Sequence, residues 1–440
     1  MFTGMSEVTW RHAPTREAGA AQVRALFAEK FGGDPNGVWS APGRVNVIGD
    51  HTDYAGGIAL PTALPHRTFV ALRRRDDNEV HLFSTFSGPT DDAEAPDAVA
   101  ITAGEWSYNL DAMASGTKPT GWGAYPAGVA LALQQATGGP KSGLLGFDAV
   151  VDSHVPVGSS LSSSAALEAA FAVALDEAWG LGLASSAEGR FTLAKVCQQA
   201  ENDIVGVPSG GLDQTVSLLA SPGYAMMIDF KDQAPVAKLV PFDLDNAGLS
   251  MLVIDTQVPR QLGDGQYAER RAAVEKAAAT LGVPHLRHVE FGQLGDALAS
   301  VADQDSNGVM GRRMRHVVTE NARAAAFVDV VRHGLGSDGK VNQDAAKIAG
   351  ALLDASHQSL RDDHEVTIRE TDLAAATARA AGAYGARMTG GGFGGAVIAL
   401  VNKKDVEPIA KAVAAGFEAV ELNPPAFLIA VPSSPAGKDN

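Results

Sequence analysis

Residues 155–170, VPVGSSLSSSAALEAA, constrain the fold more than any other stretch: a glycine- and serine-rich loop runs directly into an alanine-rich segment. High helix propensity begins where Ser162, Ser163 and Ser164 offer N-cap side chains, so a helix is expected from about Ser163 to Gly180 or Gly182. Its N-terminus would present unpaired N–H groups and the positive end of the macrodipole, which together make an anion site. No Lys or Arg lies between Val155 and Ala170. The dipole contributes only about 0.3–1 kcal/mol per anionic partner, too little for a triphosphate. Phosphates bound here therefore require a divalent metal. A capped core helix is the alternative, and the neighbouring motifs decide between the two.

Composition narrows the setting. A length of 440 residues accommodates two large domains. At 45% hydrophobic and 20% charged, the chain is expected to be soluble and globular. A formal net charge of −16 argues against nucleic acid or an anionic membrane as partner. Cys197 is the single cysteine, which rules out an intrachain disulfide and fits a reducing cytoplasm. The opening residues, MFTGMSEVTWRHAP, lack a basic region followed by an apolar run, so no signal peptide is expected. No apolar stretch reaches the length of a membrane span.

Along the chain, residues 15–31 show helical periodicity, with Val23, Leu26, Phe27 and Phe31 on one stripe. Two turns, APGR and DYAGG, are expected within β-rich pieces after it. FVALRRRD and EVHLFST predict strands of a hairpin or meander, and residues 87–99 an acidic surface loop. Helices are expected over 122–135 and 187–205, with strands at FDAVVDSHV and YAMMIDF. LSMLVIDTQV opens the second half as a strand. Helices near 266–280, 311–333, 343–360 and 370–381 follow, with a connector at 334–342 and a closing strand AFLIAV. Both halves mix helices and strands, so the expected class is α+β, divided into residues 1–232 and 233–440.

Two nucleotide-binding patterns match by letter only. GGGFGG at 390–395 fits a dinucleotide fingerprint, but that motif needs a strand before it and a helix after it. Here a helix is expected before it and a strand after. GLGSDGK at 334–340 is followed by Val341, not the Ser or Thr of a P-loop. Five glycines in six residues instead suggest backbone packed closely against the phosphate loop. APGRVNVIGDHTDY gathers Arg44, Asp50, His51 and Asp53 on one segment. Clustered donors and acceptors of this kind suit polyol hydroxyls. AENDIVGVPSGGLDQ sets Glu201 and Asp213 twelve positions apart. Two such carboxylates can divide the work, one holding a metal and one facing a hydroxyl.

With these four pieces assembled, the chain resembles the galactokinases of the GHMP small-molecule kinase superfamily. GRVNVIGDHTDY resembles the galactokinase signature, VPVGSSLSSSAA the ATP-phosphate motif and RMTGGGFGGAVIAL the third superfamily motif. The likeness extends through CQQAENDIVGVPSGGLDQ, QYAERR and LLDASHQSLRDD, nearly the whole chain. It implies a two-domain GHMP kinase fold, each domain α+β, with the active site in the interdomain cleft. It also implies ATP and Mg²⁺, and phosphorylation of galactose at its anomeric hydroxyl to α-galactose 1-phosphate.

Carried over by motif, Asp213 is the catalytic carboxylate and Arg44 its partner. Ser164 and Glu201 hold Mg²⁺, and Gly158, Ser159, Ser160, Leu161, Ser162, Ser163 and Ser164 hold the phosphates. Asp50, His51, Thr52, Asp53 and Tyr267 contact the sugar, with backbone near Gly211. Trp122 and Tyr125 stand where the family places aromatic contacts to adenine, and Ser84 is a further nucleotide candidate. Phosphoryl transfer through a loose transition state asks little of a base until late, so Asp213 can take the proton or orient the hydroxyl. The family has Glu at the position of Asp50, GAGLSSS in place of GSSLSSS and PCGIMDQ in place of PSGGLDQ. A kinase for N-acetylgalactosamine, a uronic acid or arabinose is the alternative enzyme. A non-catalytic sugar sensor is the alternative from another class, disfavoured because Ser164-Ala165-Ala166 is kept. Expected partners are small molecules alone, and the expected assembly is a monomer or weak homodimer.

Overall fold

The computed structural model describes residues 8–85, 103–143, 145–207, 209–232, 235–258, 265–334 and 342–439. The expected loop at 87–99, most of the 334–342 connector and the segment leading up to Gly265 lie outside these residues.

The first half is built on a six-stranded sheet. Its spatial order is Gly437–Asp439, Gly37–Asn46, Pro61–Arg74, Phe147–Ser153, Glu79–Ser84 and Gly104–Asn109. The expected hairpin of FVALRRRD with EVHLFST does not form, because Phe147–Ser153 lies between the two. All seven residues of that strand are buried, so its backbone N–H and C=O groups need a hydrogen-bonded neighbour on each side. The helix Arg16–Phe31 begins at Thr15, whose Oγ1 accepts from Ala18 N–H, and stops at Gly32. Its Val23 and Phe27 cover one face of the sheet with Phe69. The helix Ser163–Trp179 starts and ends where expected, but Ser162 at its N-cap is left-handed and makes no side-chain cap bond.

A five-stranded sheet carries the second half, in the order Thr9–Trp10, Ala426–Ala430, Leu249–Asp255, Ala396–Asn402 and Gly385–Thr389. Each chain end thus crosses to the other half: Thr9–Trp10 joins the second sheet and Gly437–Asp439 the first. The four expected helices appear as Gln266–Thr280, Val309–Gly334, Gln343–Ser359 and Arg369–Ala380. Leu294–Val301 and Val406–Glu418 are additional, and Ile409, Val413 and Phe417 of the latter pack on the sheet.

One hydrophobic cluster joins Val45, Val47 and Ile48 of the first half to Phe327, Ile398 and Leu428 of the second. It forms a floor between the halves, and the motif segments converge above it. Two turns differ from expectation. APGR is no turn but a bulge at 42–44 within the strand Gly37–Asn46. Gly43 stands where a Cβ would lie 2.6 Å from the carbonyl of Leu161, so the strand touches the phosphate loop backbone to backbone. GGGFGG is preceded by the strand Gly385–Thr389, not directly by a helix, and is the turn of a hairpin with Ala396–Asn402.

Candidate active site

The segment 158–164, expected to hold the phosphates, lies at the cleft between the halves. Gly158, Ser160 and Ser162 take φ of 77°, 58° and 61°. Positive φ costs a serine about 1–3 kcal/mol, and such alternation turns successive N–H groups toward one concavity. Gly158, Ser160, Leu161, Ser162, Ser163 and Ser164 all line the cleft. The glycine hairpin backs this loop. A Cβ on Gly390 would stand 2.8 Å from Ser160 Cβ, and one on Gly395 2.4 Å from Ser160 Oγ. The expected contact of GGGFGG with the phosphate loop is therefore present.

Arg44 and Asp213 meet in a bidentate pair, Nε–Oδ1 at 2.8 Å and Nη2–Oδ2 at 2.7 Å. Arg44 Nη1 donates to the carbonyl of Ser160 at 2.7 Å, and Ser162 Oγ donates to Asp213 Oδ2 at 2.5 Å. The Ser162 hydroxyl, free of capping work, thus belongs to the carboxylate. Asp213 sits in the first turn of Leu212–Leu219, opening behind Gly211 at φ 83°. Arg44 is buried, while the Asp213 side chain keeps 29% exposure toward the cleft.

Glu201 lies on a π-helical turn, Ala200–Val205, that continues the helix Ala187–Gln199. The Nε2 of Gln214 donates to Glu201 Oε2 at 2.6 Å and to the buried Glu168 Oε2 at 3.0 Å. Burial, reinforced by the Asp213 charge, pushes Glu201 up to about 7 against hydrogen bonds from Gln214, Ser209 and Ser164 that lower it. Glu168 is held well above the ordinary carboxyl range by burial and by Glu201. Among the described lining residues Arg44 is the one Lys or Arg. Carboxyl groups therefore outnumber cations among these residues, and burial holds some of them toward the protonated form.

At the other end stand Asp50, His51, Asp53 and Tyr267, all lining the cleft. Asp50 forms a buried ion pair with Arg387, accepts from Asn46 Nδ2 at 2.9 Å and from Gly390 N–H at 3.2 Å. His51 takes φ 60°, and its ring lies 5.4 Å from that of Tyr267. Burial raises Asp53 to about 6, and the Asp213 and Asp50 charges add to the effect. Thr52 does not line the cleft; its hydroxyl donates to the carbonyls of Gly49 and Ile58 and closes the turn.

Several expected residues stand elsewhere. Trp122 and Tyr125 are buried in the core of the first half, and Ser84 is buried at the end of Glu79–Ser84. Burial and the nearby Glu201 and Glu168 raise the Tyr125 phenol, placing it behind the carboxylates. Ser159 is buried beside Asp255, and Gly211 packs on the Gln198 amide. Among the described residues the cleft adds Asn46, Ser209 and Gly210, while Arg387 anchors Asp50 from below. Asn46 was legible two positions after Arg44, on the same strand face. Arg387 carried no local signal beyond its place beside GGGFGG.

Residues 25–74 match a galactokinase galactose-binding signature, 124–221 the GHMP kinase N-terminal domain and 341–419 the GHMP kinase C-terminal domain. The chain is 41% identical over 420 residues to a galactokinase of Streptomyces coelicolor, covering 96% of this chain and 98% of that one. It is 37% identical over 382 residues to a human galactokinase, 87% and 88% of the two chains. A Lactococcus lactis galactokinase solved in complex with galactose superposes with a TM-score of 0.80 at 31% identity, over 96% of this chain and 100% of that one. Methanococcus jannaschii mevalonate kinase shares the fold at a TM-score of 0.58 and 15% identity, over 90% and 98% of the chains.

Proposed function

The chain belongs to the galactokinase family, and from that membership we propose that it transfers the γ-phosphoryl group of ATP to the anomeric hydroxyl of D-galactose. The product is α-D-galactose 1-phosphate. The observation that supports this most is the bidentate Arg44–Asp213 pair beside the phosphate loop, with a sugar-compatible cluster at its flank.

The nucleotide phosphates lie against the backbone of residues 158–164, and the sugar against His51, Asp53 and Tyr267. Asp213 faces the anomeric hydroxyl. It orients that hydroxyl and accepts its proton late, as suits a loose transition state. Arg44 offsets the charge at the transferring group and fixes the carboxylate plane, while Ser162 holds the second oxygen.

The donor set fits a small hard cation. Ser164 and Glu201 offer oxygens, the buried Glu168 Oε1 has no partner among the described residues, and carboxyl groups outnumber cations among the described lining residues. No group of three His, Cys, Asp or Glu side chains able to cage a metal occurs among the described residues. Mg²⁺ is usually bound by one or two carboxylates plus phosphates and water. Ser164 and Glu201 would hold it; when bound it supplies the positive charge that the loop lacks. Trp122 and Tyr125 would shape the nucleotide side from within the core. We further infer a domain division near residue 232, a cytoplasmic location that suits the lone buried Cys197, and a monomer or weak homodimer. No helix among the described residues is long and apolar enough to cross a membrane.

The test is ADP release with ATP, Mg²⁺ and a panel of sugars. Galactose should give the highest kcat/KM. Preference for N-acetylgalactosamine, galacturonate or arabinose would overturn the substrate, and galactose binding without turnover would indicate a sensor.

A further inference from the structure

Behind His51 the cleft wall holds side chains that phosphoryl transfer does not use. Three histidine rings follow one another in a row, tilted by 52° and 35°, with centroids 4.5 Å apart from His51 to His364 and 4.6 Å from His364 to His316. His364 and His316 are fully buried. His364 ends the π-helical turn Leu360–His364, as Glu201 lies on the π-helical turn Ala200–Val205. Two arginines pin that turn. Arg270 Nε donates to the carbonyl of His364 at 3.0 Å, and Arg313 Nη1 to that of Asp363 at 2.5 Å. Arg270 lies one turn beyond Tyr267 on the same helix.

The hydrogen bonds fix every tautomer. The Gly391 carbonyl can only accept, so a neutral His51 donates to it from Nε2 at 3.2 Å and keeps a lone pair at Nδ1. The Tyr54 hydroxyl, 3.0 Å from that Nδ1, must donate to it. The Tyr54 oxygen is left to accept, and His364 Nε2 lies 3.2 Å away. His364 therefore carries its proton on Nε2 and a lone pair on Nδ1. That Nδ1 is buried without a partner among the described residues. Burial, together with the charges of Arg313 and Arg270, holds His364 in the neutral form that the chain requires. The three bonds run one way, from His364 through Tyr54 and His51 to the glycine hairpin.

We propose that His364 is a positioning residue for sugar recognition: through the Tyr54 hydroxyl it holds the ring of His51, whose tautomer Gly391 sets, in one orientation at the cleft. The proposal rests on the reading of His51 as part of the galactose site. Simple core packing predicts instead that any ring of the same size at 364 serves equally well.

Three full-length variants separate these possibilities. His364→Phe keeps the ring and removes the N–H, His364→Gln keeps an N–H near the Nε2 position, and Tyr54→Phe cuts the middle link. A net hydrogen bond is worth about 0.5–1.5 kcal/mol, so His364→Phe and Tyr54→Phe should raise KM for galactose about two- to tenfold. KM for ATP and kcat should stay within about twofold, and His364→Gln should resemble the wild type. Imidazole ¹⁵N spectra of histidine-labelled protein should show His51 as the Nε2–H tautomer, with an unprotonated Nδ1 resonance that shifts in Tyr54→Phe as its hydrogen bond is lost. Wild-type galactose KM in His364→Phe would overturn the proposal, as would equal damage from Gln and Phe. An unchanged His51 signal in Tyr54→Phe would also overturn it, even if His364→Phe failed to fold. Failure of the wild type to bind galactose would instead remove the functional reading, and the imidazole spectra would still decide the lock.

Discussion

Arg44 grips Asp213 through two parallel hydrogen bonds, at 2.8 and 2.7 Å, and spends its third donor group on the carbonyl of Ser160 at 2.7 Å. One guanidinium thus ties a bulged strand, a helix N-terminus and the phosphate loop together. Lysine cannot copy this, since the fork geometry is particular to arginine.

Arg44→Ala and Asp213→Ala act on one transition state. Removing a general base costs about 10²–10⁴ in rate, and an arginine on a transferring phosphoryl about 10³–10⁵. The loss in the double variant should fall well short of the product of the two single losses. Single-turnover kinetics on the three variants check this, and a fully multiplicative loss would mean that the two groups work independently.

The cleft holds Glu201 beside Asp213 with Arg44 the one Lys or Arg among its described lining residues. Turnover should therefore vanish in excess chelator, and Glu201→Ala should abolish it while calorimetric galactose affinity stays within about threefold. The stabilisation of the fold by ATP should also need a divalent ion, read as a melting shift. Robust activity with chelator would defeat the assignment.

Gly395 has φ 82° and no room for a Cβ beside Ser160. Gly395→Ala adds left-handed strain, about 1–2 kcal/mol, and pushes on the phosphate loop. KM for ATP should rise at least about tenfold with galactose affinity kept. Equal damage to both affinities would place the effect on the whole cleft.

Asp50 is the counter-charge of Arg387, which is fully buried. Removing one partner of a buried pair costs about 3–5 kcal/mol, and Glu320, whose charge also reaches Arg387, should hold Asp50→Asn to the lower end. Asp50→Glu keeps the charge and should change KM for galactose by less than about tenfold, with kcat nearly constant. Urea denaturation and saturation kinetics decide both. A collapse of kcat in Asp50→Glu would show a role in the chemistry itself.

Asp53, raised to about 6, binds its proton more tightly folded than unfolded. Its stabilising contribution is full below about pH 4 and is lost as pH rises through about 6. Ligand-free Asp53→Asn should therefore gain on the wild type by about 1–3 kcal/mol between pH 4 and 8. Denaturation midpoints at the two pH values measure it, and a pH-independent difference would refute the raised carboxyl.

Local chemistry alone marked residues 158–164, the segment around Asp50–Asp53 and the Glu201/Asp213 set as candidates, which the structure gathers around one cleft, and it gave the start and stop of the helix Ser163–Trp179. These depend on helix propensity, glycine spacing and donor type within a few residues. Other features needed the tertiary structure. Ser162 looked like a cap and instead serves Asp213, because the loop folds left-handed at 160 and 162 and brings the hydroxyl to a residue 51 positions away. Asp50 looked like a sugar ligand, yet its carboxylate is engaged by Arg387, 337 positions on. Phe147–Ser153 parted the strands of an expected hairpin or meander because a buried strand needs a hydrogen-bonded neighbour at each edge. His364 gave no signal beside its neighbours, since its meaning comes from Tyr54 and His51 across the cleft. Sequence fixes which side chains can do the chemistry within a turn or a loop. Long-range packing decides which of them point at one another, because a hydrogen bond depends on ångström-scale placement that no local pattern encodes.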